Sequence, residues 1–479
     1  MWTISCGAAV AAVAVVGLVV ADGSTDPAAS NGPGTLAALI GGVTAVLGVA
    51  ALAVMRSRVH RAAPSGHLDD GEARILIGDP VGATDGRPLD GPPGDLRQRS
   101  VWFVVNVDWF FLSHRAHVAV RAMERGADVT VVCGETGRGD EIRALGVNYV
   151  PIHVDRHGLN PLAELRLLAQ LYRLYRRGRP HLVHHVSVKP IVWGGLAARL
   201  AGVPAVANTI CGFGYAFEST GARIRVLRRG LELVYAVVLR HPLSSTVFEN
   251  EDDRDWAIAA GLVPRDRTAL VAGSGVDCDL FSPADEPDGD RVVVLPCRLT
   301  WDKGVGDFVE AARAVRAERA DVRFVLVGPI DEEYRASVPR QTIEAWCEEG
   351  IVEWWGERSD MPSVFASSHL VALPSRFEGM PKVLVEAAAC ERATIASDVS
   401  GCRAAIRDGV TGVLVPPADP AGLADAIREL LDDPERRRRF GVAGRRRAVA
   451  ELSSGVVADW YVSLYGSLLA DARAIEPTA

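Results

Sequence analysis

PSRFEGMPKVLVEAAAC, residues 374–390, decides how this chain is read. It sets Glu378 and Glu386 eight positions apart, with Gly379 and Pro381 between them. The apolar run LVALP (370–374) leads into it as a buried strand. Pro381 falls where a first helical residue would, because its missing N–H is not needed there. LVEAAAC then continues with strong helix formers. The unit is strand, short glycine loop, helix, with Glu378 in the loop and Glu386 about two turns into the helix. Free loop amides and the positive end of the helix form an anion site. Carboxylates flanking such a site suit a ligand with a phosphate centre and hydroxyl-rich ends, which describes a nucleotide sugar. One carboxylate takes the sugar hydroxyls and the other the ribose.

A second strand–loop–helix unit precedes it in RVVVLPCRLTWDKGVGDFVEAA (291–312). Arg298 and Lys303 lie in its loop and Gly304 opens its helix. Two cations beside a helix N-terminus make a diphosphate clamp. VRFVLVG (322–328) is the next buried strand, and VEWWGERSDMPSVFASSHLVALPS (352–375) resembles the strand, Gly, Asp-Met and helix pattern of glycosyltransferase family 4, which implies that residues around Trp355 and Gly356 would meet the nucleotide base.

The setting FEGMPKVLVEA, with seven residues between its glutamates, resembles the signature of the retaining glycosyltransferase family 4. CRLTWDKG resembles that family's GRLxxxKG, with Cys297 in place of the first glycine. VAGSGVDCDLFSP (271–283) resembles its NGVDxxxFxP interdomain segment, and DGVTGVLVPPADP its usual continuation. NVDWFFLSHR (106–115) resembles the first loop of members that act on polyprenyl-diphosphate-linked acceptors. NTICGFGYAF (208–217) resembles the GxGYxF loop of transferases using undecaprenyl-diphosphate sugars. The likeness covers roughly 100–470. It points in particular to bacterial undecaprenyl-diphosphate-sugar α-glycosyltransferases of the α-1,3-N-acetylgalactosaminyltransferase type.

The resemblance implies the GT-B fold, two Rossmann-like α/β domains facing across a cleft. It implies a hexosyltransferase that moves a sugar from a UDP-sugar, with retention, to a lipid-linked saccharide acceptor in surface polysaccharide or glycan biosynthesis. Arg298 and Lys303, with Gly379, would hold the donor diphosphate and stabilise its departure, so no metal or other cofactor is expected. Glu378 would hold the donor sugar and Glu386 the ribose. His114, Arg115, Gly212 and Gly214 would meet the acceptor. Many members carry HxH at the end of a central strand, and one His lies near the transferred sugar. Here the stretch is HHVSVKP: His184 matches the first position and Val186 stands at the second, so His184 or His185 takes that place, grouped with Glu378 as catalytic. A hydrogen-bonded core role is the structural alternative for His184, and helix capping for His114.

The residues of the N-terminal half support such a fold independently. VWFVVN (101–106), DVTVVC (128–133), VNYVPI (147–152), HLVHHV (181–186), AVANT (205–209) and STVFEN (245–250) read as strands, with helical patterns between most of them. That alternation argues for a parallel sheet with crossover helices, whose ligands sit beyond the strands' carboxyl ends. Two basic amphipathic stretches, 162–179 and 222–241, read as solvated faces or as contacts to anionic lipid. The arginine runs 436–439 and 445–447 form a tail helix, read as a solvated surface with lipid contact as the alternative.

Composition narrows the class. A net charge of −8 excludes a general nucleic-acid binder. The eight cysteines form no CxxC pair, which argues against a zinc site or disulfide framework. Asp277-Cys278-Asp279 forms a DxD but belongs to the interdomain segment, so no metal is assigned to it.

Residues 5–21 and 35–55 are uncharged, the second is long enough to span a bilayer, and Arg56, Arg58 and Arg61 follow it. The expectation is a two-helix transmembrane hairpin at 1–61 with both ends inside. A Gly/Pro-rich linker (62–98), an acceptor domain (99–273), a nucleotide-sugar domain (274–455) and a crossover helix with tail (456–479) follow. This organisation implies a multi-pass protein of the inner membrane whose catalytic domains face the cytoplasm. Two rival functions remain: a GT-B nucleotide-sugar epimerase, and a non-catalytic membrane-tethered scaffold of polysaccharide assembly.

Overall fold

The computed structural model describes residues 96–154, 160–212, 232, 234–332, 334 and 336–475. It divides into two compact units. Among the described residues, the first takes those up to Phe248, Asp253–Val271 and those from Ala458 onward, and the second Glu249–Asp252 and those from Ala272 to Val457.

Among the described residues the first unit is built on a sheet of seven strands. These are β1 (Ser100–Val107), β2 (Asp128–Gly134), β3 (Asn148–Ile152), β4 (Leu182–Val186), β5 (Ala205–Ile210), β6 (Ser244–Phe248) and β7 (Thr268–Leu270). Their order is β3-β2-β1-β4-β5-β6-β7, and every pairing is parallel. β4 and β5 are buried along their whole length, as strands covered on both faces must be. Their runs LVHHV and AVANTI accordingly lack a polar alternation. β7 carries only three residues and has no period of its own to announce it.

Among the described residues the second unit holds six parallel strands in the order β10-β9-β8-β11-β12-β13. They are β8 (Arg291–Pro296), β9 (Val322–Val327), β10 (Glu353–Trp354), β11 (Leu370–Leu373), β12 (Ala393–Ser397) and β13 (Gly412–Val415). Leu295, Val325, Leu326, Ala372 and Ile395 are fully buried between helices such as Val305–Arg316 and Pro420–Asp432. In both sheets the chain reverses its direction of strand addition once. The reversal lies between β1 and β4 in the first unit and between β8 and β11 in the second. Loops leaving the sheet at such a point diverge and open a crevice for ligands.

The expected fold class needs one correction. Among the described residues no helix is long and apolar enough to cross a membrane. The transmembrane hairpin placed at 1–61 lies outside the described residues, as does the linker except for 96–98. The fold that the structure supports is the two-unit α/β architecture alone.

Three of the tail arginines are also corrected, while Arg438, Arg439 and Arg446 are exposed as expected. In the helix Pro434–Glu451, Arg437 is buried and bound to both oxygens of Glu286 at 2.7 and 2.6 Å. Arg445 donates to the carbonyls of Cys278, Phe281 and Ala389, and Arg447 to those of Ala404 and Ala405. These three guanidinium groups tie the second unit together. A run of like charges reads as a solvated face only until the carbonyls that face it are known.

Candidate active site

In the second unit the loops after β8 and β11 meet at the reversal point. β8 ends at Pro296, and Arg298 and the short helix Trp301–Lys303 follow it. Gly304 then turns the chain with φ of +71° and caps the helix Val305–Arg316. A side chain there would meet the Pro374 carbonyl oxygen at 2.0 Å, so the two loops approach as closely as backbone can. The Arg376 N–H donates to the Asp302 carbonyl at 2.8 Å and fixes their register.

This approach brings Lys303 Nζ to 2.6 Å from Glu378 Oε1. The Glu378 side chain is 9% exposed and that of Lys303 26%, so the pair lies in a recess with an open side. Arg298 stands at the same strand end with its side chain 45% exposed. It is paired with Asp331 at 3.2 Å, and its Cζ lies 5.4 Å from the Tyr334 ring centre. The Cys297 thiol is held between these charges. Burial pushes it up to about 12, while Lys303 pulls it down, Glu378 pushes it up and Arg298 pulls it down.

Gly379 is packed just as tightly. A Cβ on Gly401 would stand 2.3 Å from its carbonyl oxygen and 2.5 Å from that of Glu378. Asn250, in the four-residue segment that groups with this unit, donates to the same Gly379 oxygen at 2.9 Å. Pro381 is the N-cap and Lys382 the first helical residue, one position later than the sequence predicts. Glu386 therefore sits one turn into the helix Lys382–Ala389, and not two. It is buried and paired with Lys382 at 3.1 Å.

Beyond the end of β10 lies an open cavity of about 420 Å³ lined by Trp355, Arg358, Ser363, Val364 and Ser367. It includes Trp355 from the stretch read as the base contact. Asp277 of the DxD accepts from the N–H groups of Asp279 and Leu280, a local turn. Among the described residues no cluster of three or more His, Cys, Asp or Glu side chains is arranged to hold a metal.

In the first unit the predicted residues are more deeply placed. His184 and His185 are fully buried. His184 Nε2 is 2.7 Å from Thr209 Oγ1, and its Nδ1 is 2.7 Å from the Tyr465 hydroxyl. His185 bonds Tyr175 and Asn208, each at 3.0 Å. Burial, with Arg115 and His185 adding to it, holds His184 well below the ordinary histidine range. Burial brings His185 to about 4, against a smaller upward pull from Asn208. Both rings are neutral near pH 7 and both nitrogens of each are engaged. They have the environment of core histidines, tying β4 to β5 and, through Tyr465, to the helix Ser454–Ile475.

His114 stacks on Phe110, with ring centres 4.1 Å apart, and its Nδ1 is 2.6 Å from Ser113 Oγ. Arg115 is fully buried, donating to the His114 carbonyl at 2.8 Å and to Cys211 Sγ at 3.6 Å. It links the junction between the helices Asp108–His114 and Ala116–Glu124 to the strand end just before Gly212, whose φ is +99°. Gly214 lies outside the described residues.

Sequence reasoning missed Asp108, fully buried, which opens the helix Asp108–His114 directly after β1. Its carboxylate accepts from the backbone of Trp109, Thr136 and Arg138 and from the Thr136 hydroxyl. Burial raises its pKa, but those hydrogen bonds outweigh it and the net shift is downward. An aspartate at a strand end was a readable turn signal, but its partners 28 and 30 residues on were not. Lys382 was also passed over, although the i,i+4 spacing to Glu386 made that pair legible.

Family models match both halves of the chain. Residues 100–236 match a model described as Glycosyl transferase 4-like, and residues 290–433 one described as Glycosyl transferases group 1. Among curated relatives is the N,N'-diacetylbacillosaminyl-diphospho-undecaprenol alpha-1,3-N-acetylgalactosaminyltransferase of Campylobacter jejuni. It is 24% identical over 380 residues, which are 75% of this chain and 98% of that protein. Another is the UDP-Gal:alpha-D-GlcNAc-diphosphoundecaprenol alpha-1,3-galactosyltransferase of Escherichia coli. It is 27% identical over 64% of this chain and 80% of that protein. A glycosyltransferase of Rickettsia africae matches in fold with a TM-score of 0.63 at 16% identity, over 78% of this chain and 99% of the other. An Anabaena protein solved in complex with UDP has a TM-score of 0.63 at 18% identity, over 77% and 100%. With two parallel sheets of this order, the paired motifs at their strand ends, and matched models spanning more than half its length, the chain belongs to the GT-B glycosyltransferases with a 4-like first half and a group 1 second half.

Proposed function

We propose that the chain is a retaining transferase that moves a hexose or N-acetylhexosamine from a UDP-sugar to a polyprenyl-diphosphate-linked saccharide. The observation that carries this reading is the meeting of Lys303 and Glu378 at the reversal point of the second sheet, 75 residues apart in sequence. A cation for phosphate and a carboxylate for sugar hydroxyls stand there side by side. Arg298, at the same strand end, adds a second cation. Gly379, packed under Gly401, leaves room for a phosphate to approach loop backbone.

The bond from the anomeric carbon to the donor phosphate breaks as the acceptor hydroxyl attacks from the same face. The departing diphosphate oxygen takes the acceptor proton. Lys303 and Arg298 neutralise the charge that develops on that oxygen. Glu378 orients the sugar ring and Glu386 the ribose. Neither serves as a nucleophile, and no metal is required because the two cations supply the charge.

Two lines support the acceptor class. The Campylobacter and Escherichia relatives are named for undecaprenol-linked substrates. The outer face of the helix Pro161–Gly178 exposes Arg166, Arg173, Arg176 and Arg177, with Arg179 at its end. None of the five forms an ion pair among the described residues, which leaves them for anionic headgroups or lipid-linked phosphate. On this reading the enzyme works at the cytoplasmic face of the membrane that holds its acceptor.

The test is to incubate purified protein with a panel of nucleotide sugars and lipid-linked acceptors, with and without EDTA, and to identify products by mass. One added sugar on the acceptor, unchanged by EDTA, is expected. A UDP-sugar isomerised without acceptor would replace this reading with an epimerase.

A further inference from the structure

Glu386 is an acid buried where a carboxylate is needed. Its helix begins with Lys382, and Lys382 Nζ stands 3.1 Å from Glu386 Oε1, with side chains 26% and 11% exposed. The other ionisable groups nearby are committed elsewhere. Arg445, from the helix Pro434–Glu451, is spent on three carbonyls. Arg403, from the helix Ser400–Ala405, is bound to Asp398 and Asp252. Arg392 donates to the carbonyls of Phe365 and Ala284. Cys390 follows Glu386 by one turn, buried and pushed up to about 11, chiefly by burial. The neighbouring strands β11 (LVAL) and β12 (ATIAS) carry no titratable side chain. Among the described residues Lys382 is therefore the cation paired with Glu386.

The balance at Glu386 is between two opposing effects. Burial raises the carboxyl and the Lys382 ammonium lowers it, with burial the larger. The outcome matters because the two protonation states bind a sugar differently. An ionised carboxylate accepts from two neighbouring hydroxyls at once, whereas the acid must donate through one oxygen. A vicinal diol held by two accepted hydrogen bonds needs the ionised form.

We propose that Lys382 is a positioning residue for the donor: it fixes Glu386 as an oriented carboxylate, so that both ribose hydroxyls can be accepted. This rests on the reading of Glu386 as the ribose contact. Lys382 itself touches no part of the donor, and its influence runs through Glu386 alone.

The experiment measures the affinity of the full chain for UDP from pH 6.0 to 8.5. Each variant is expressed as a ratio to the unaltered protein, which cancels the titration of UDP itself. Lys382→Met is expected to weaken binding about tenfold at pH 6.0, the size of one lost hydrogen bond to a charged acceptor, because burial then acts on the carboxyl without the ammonium's opposing pull. The loss should shrink to under about twofold by pH 8.5 as Glu386 ionises without help. Lys382→Arg keeps the charge and should hold the ratio near one at every pH. With 2′,3′-dideoxyuridine diphosphate, which lacks the diol, the pH dependence of the Lys382→Met ratio should vanish. Circular dichroism and melting curves confirm that each variant folds. A Lys382→Met loss that is equal at every pH, or absent, overturns the proposal while a weakened Glu386→Gln leaves the ribose reading in place. If Glu386→Gln binds UDP as the unaltered protein does, the ribose reading fails, and the role of Lys382 fails with it.

Discussion

Lys303 Nζ and Glu378 Oε1, 2.6 Å apart, join the loop after β8 to the loop after β11 in the second unit. The two charges neutralise one another within the recess. On the proposed reading the donor diphosphate shares the Lys303 ammonium with Glu378, and the sugar shares the carboxylate. Lys303→Ala and Glu378→Ala should each lower kcat/KM by about 100-fold or more, the range for losing one preorganised charge partner. The double variant should lose far less than the product of the two, because each residue acts through the other. Steady-state transfer rates on the four proteins check this; fully multiplicative losses would mean that the contact has no functional weight.

Gly401→Ala tests whether the donor loop tolerates displacement. The added Cβ would press on the carbonyl oxygens of Glu378 and Gly379 at 2.5 and 2.3 Å, so that loop must move. The expected result is a donor KM raised by about tenfold or more, since small misplacements of positioning groups are costly. The unfolding midpoint should change little. Donor titration beside a urea melt separates the two effects.

Arg437 should matter for stability and not for chemistry. Its side chain is 1% exposed and grips both oxygens of Glu286 and the Leu430 carbonyl. Arg437→Met leaves Glu286 without its partner and should cost about 3 kcal/mol, the lower end for breaking a buried pair, because Glu286 still reaches water. Arg437→Lys should not restore the loss, as an ammonium cannot reproduce the bidentate contact. Urea denaturation gives the number, and kcat at saturating substrate should stay within about twofold.

His185 should make the protein sensitive to acid. Its ordinary pKa of 6.5 falls to about 4 in the fold, chiefly through burial. Above pH 6.5 neither the folded nor the unfolded state binds this proton, and its contribution is flat. As pH falls from 6.5 towards 4, the unfolded chain takes up a proton that the native site refuses, so stability declines. The full drop from this group is about 3 kcal/mol. Melting midpoints between pH 7.5 and 4.5 should fall accordingly, and His185→Gln should flatten the slope. An unchanged slope in that variant would assign the acid sensitivity to other groups, such as His241, which burial also holds at about 3.

Several elements were legible because their signals are local. The runs VWFVV and VVVLP are continuous apolar stretches, as strands buried on both faces need. Asn160 ahead of Pro161 is a local helix-start signal that the sequence reading did not use; its side chain accepts from Leu162. β7 was missed because three residues carry no period. The start of the helix after Gly379 was misjudged by one residue, since proline is acceptable both as N-cap and as first helical residue. The arginine-rich tail was misread because composition does not reveal which carbonyls surround a guanidinium.

The sequence by itself determined that this chain makes two parallel α/β sheets and brings two strand–loop–helix units bearing cations and carboxylates. Hydrophobic period and turn chemistry act over a few residues and can be read in order. Only the tertiary structure decided which of those charges meet. It paired Lys303 with Glu378, gave Glu386 to Lys382, and enclosed His184 and His185 in a tyrosine, threonine and asparagine network. Such pairings depend on strand order and loop approach across scores of residues, where the energy of packing, and not the local pattern, selects the partner.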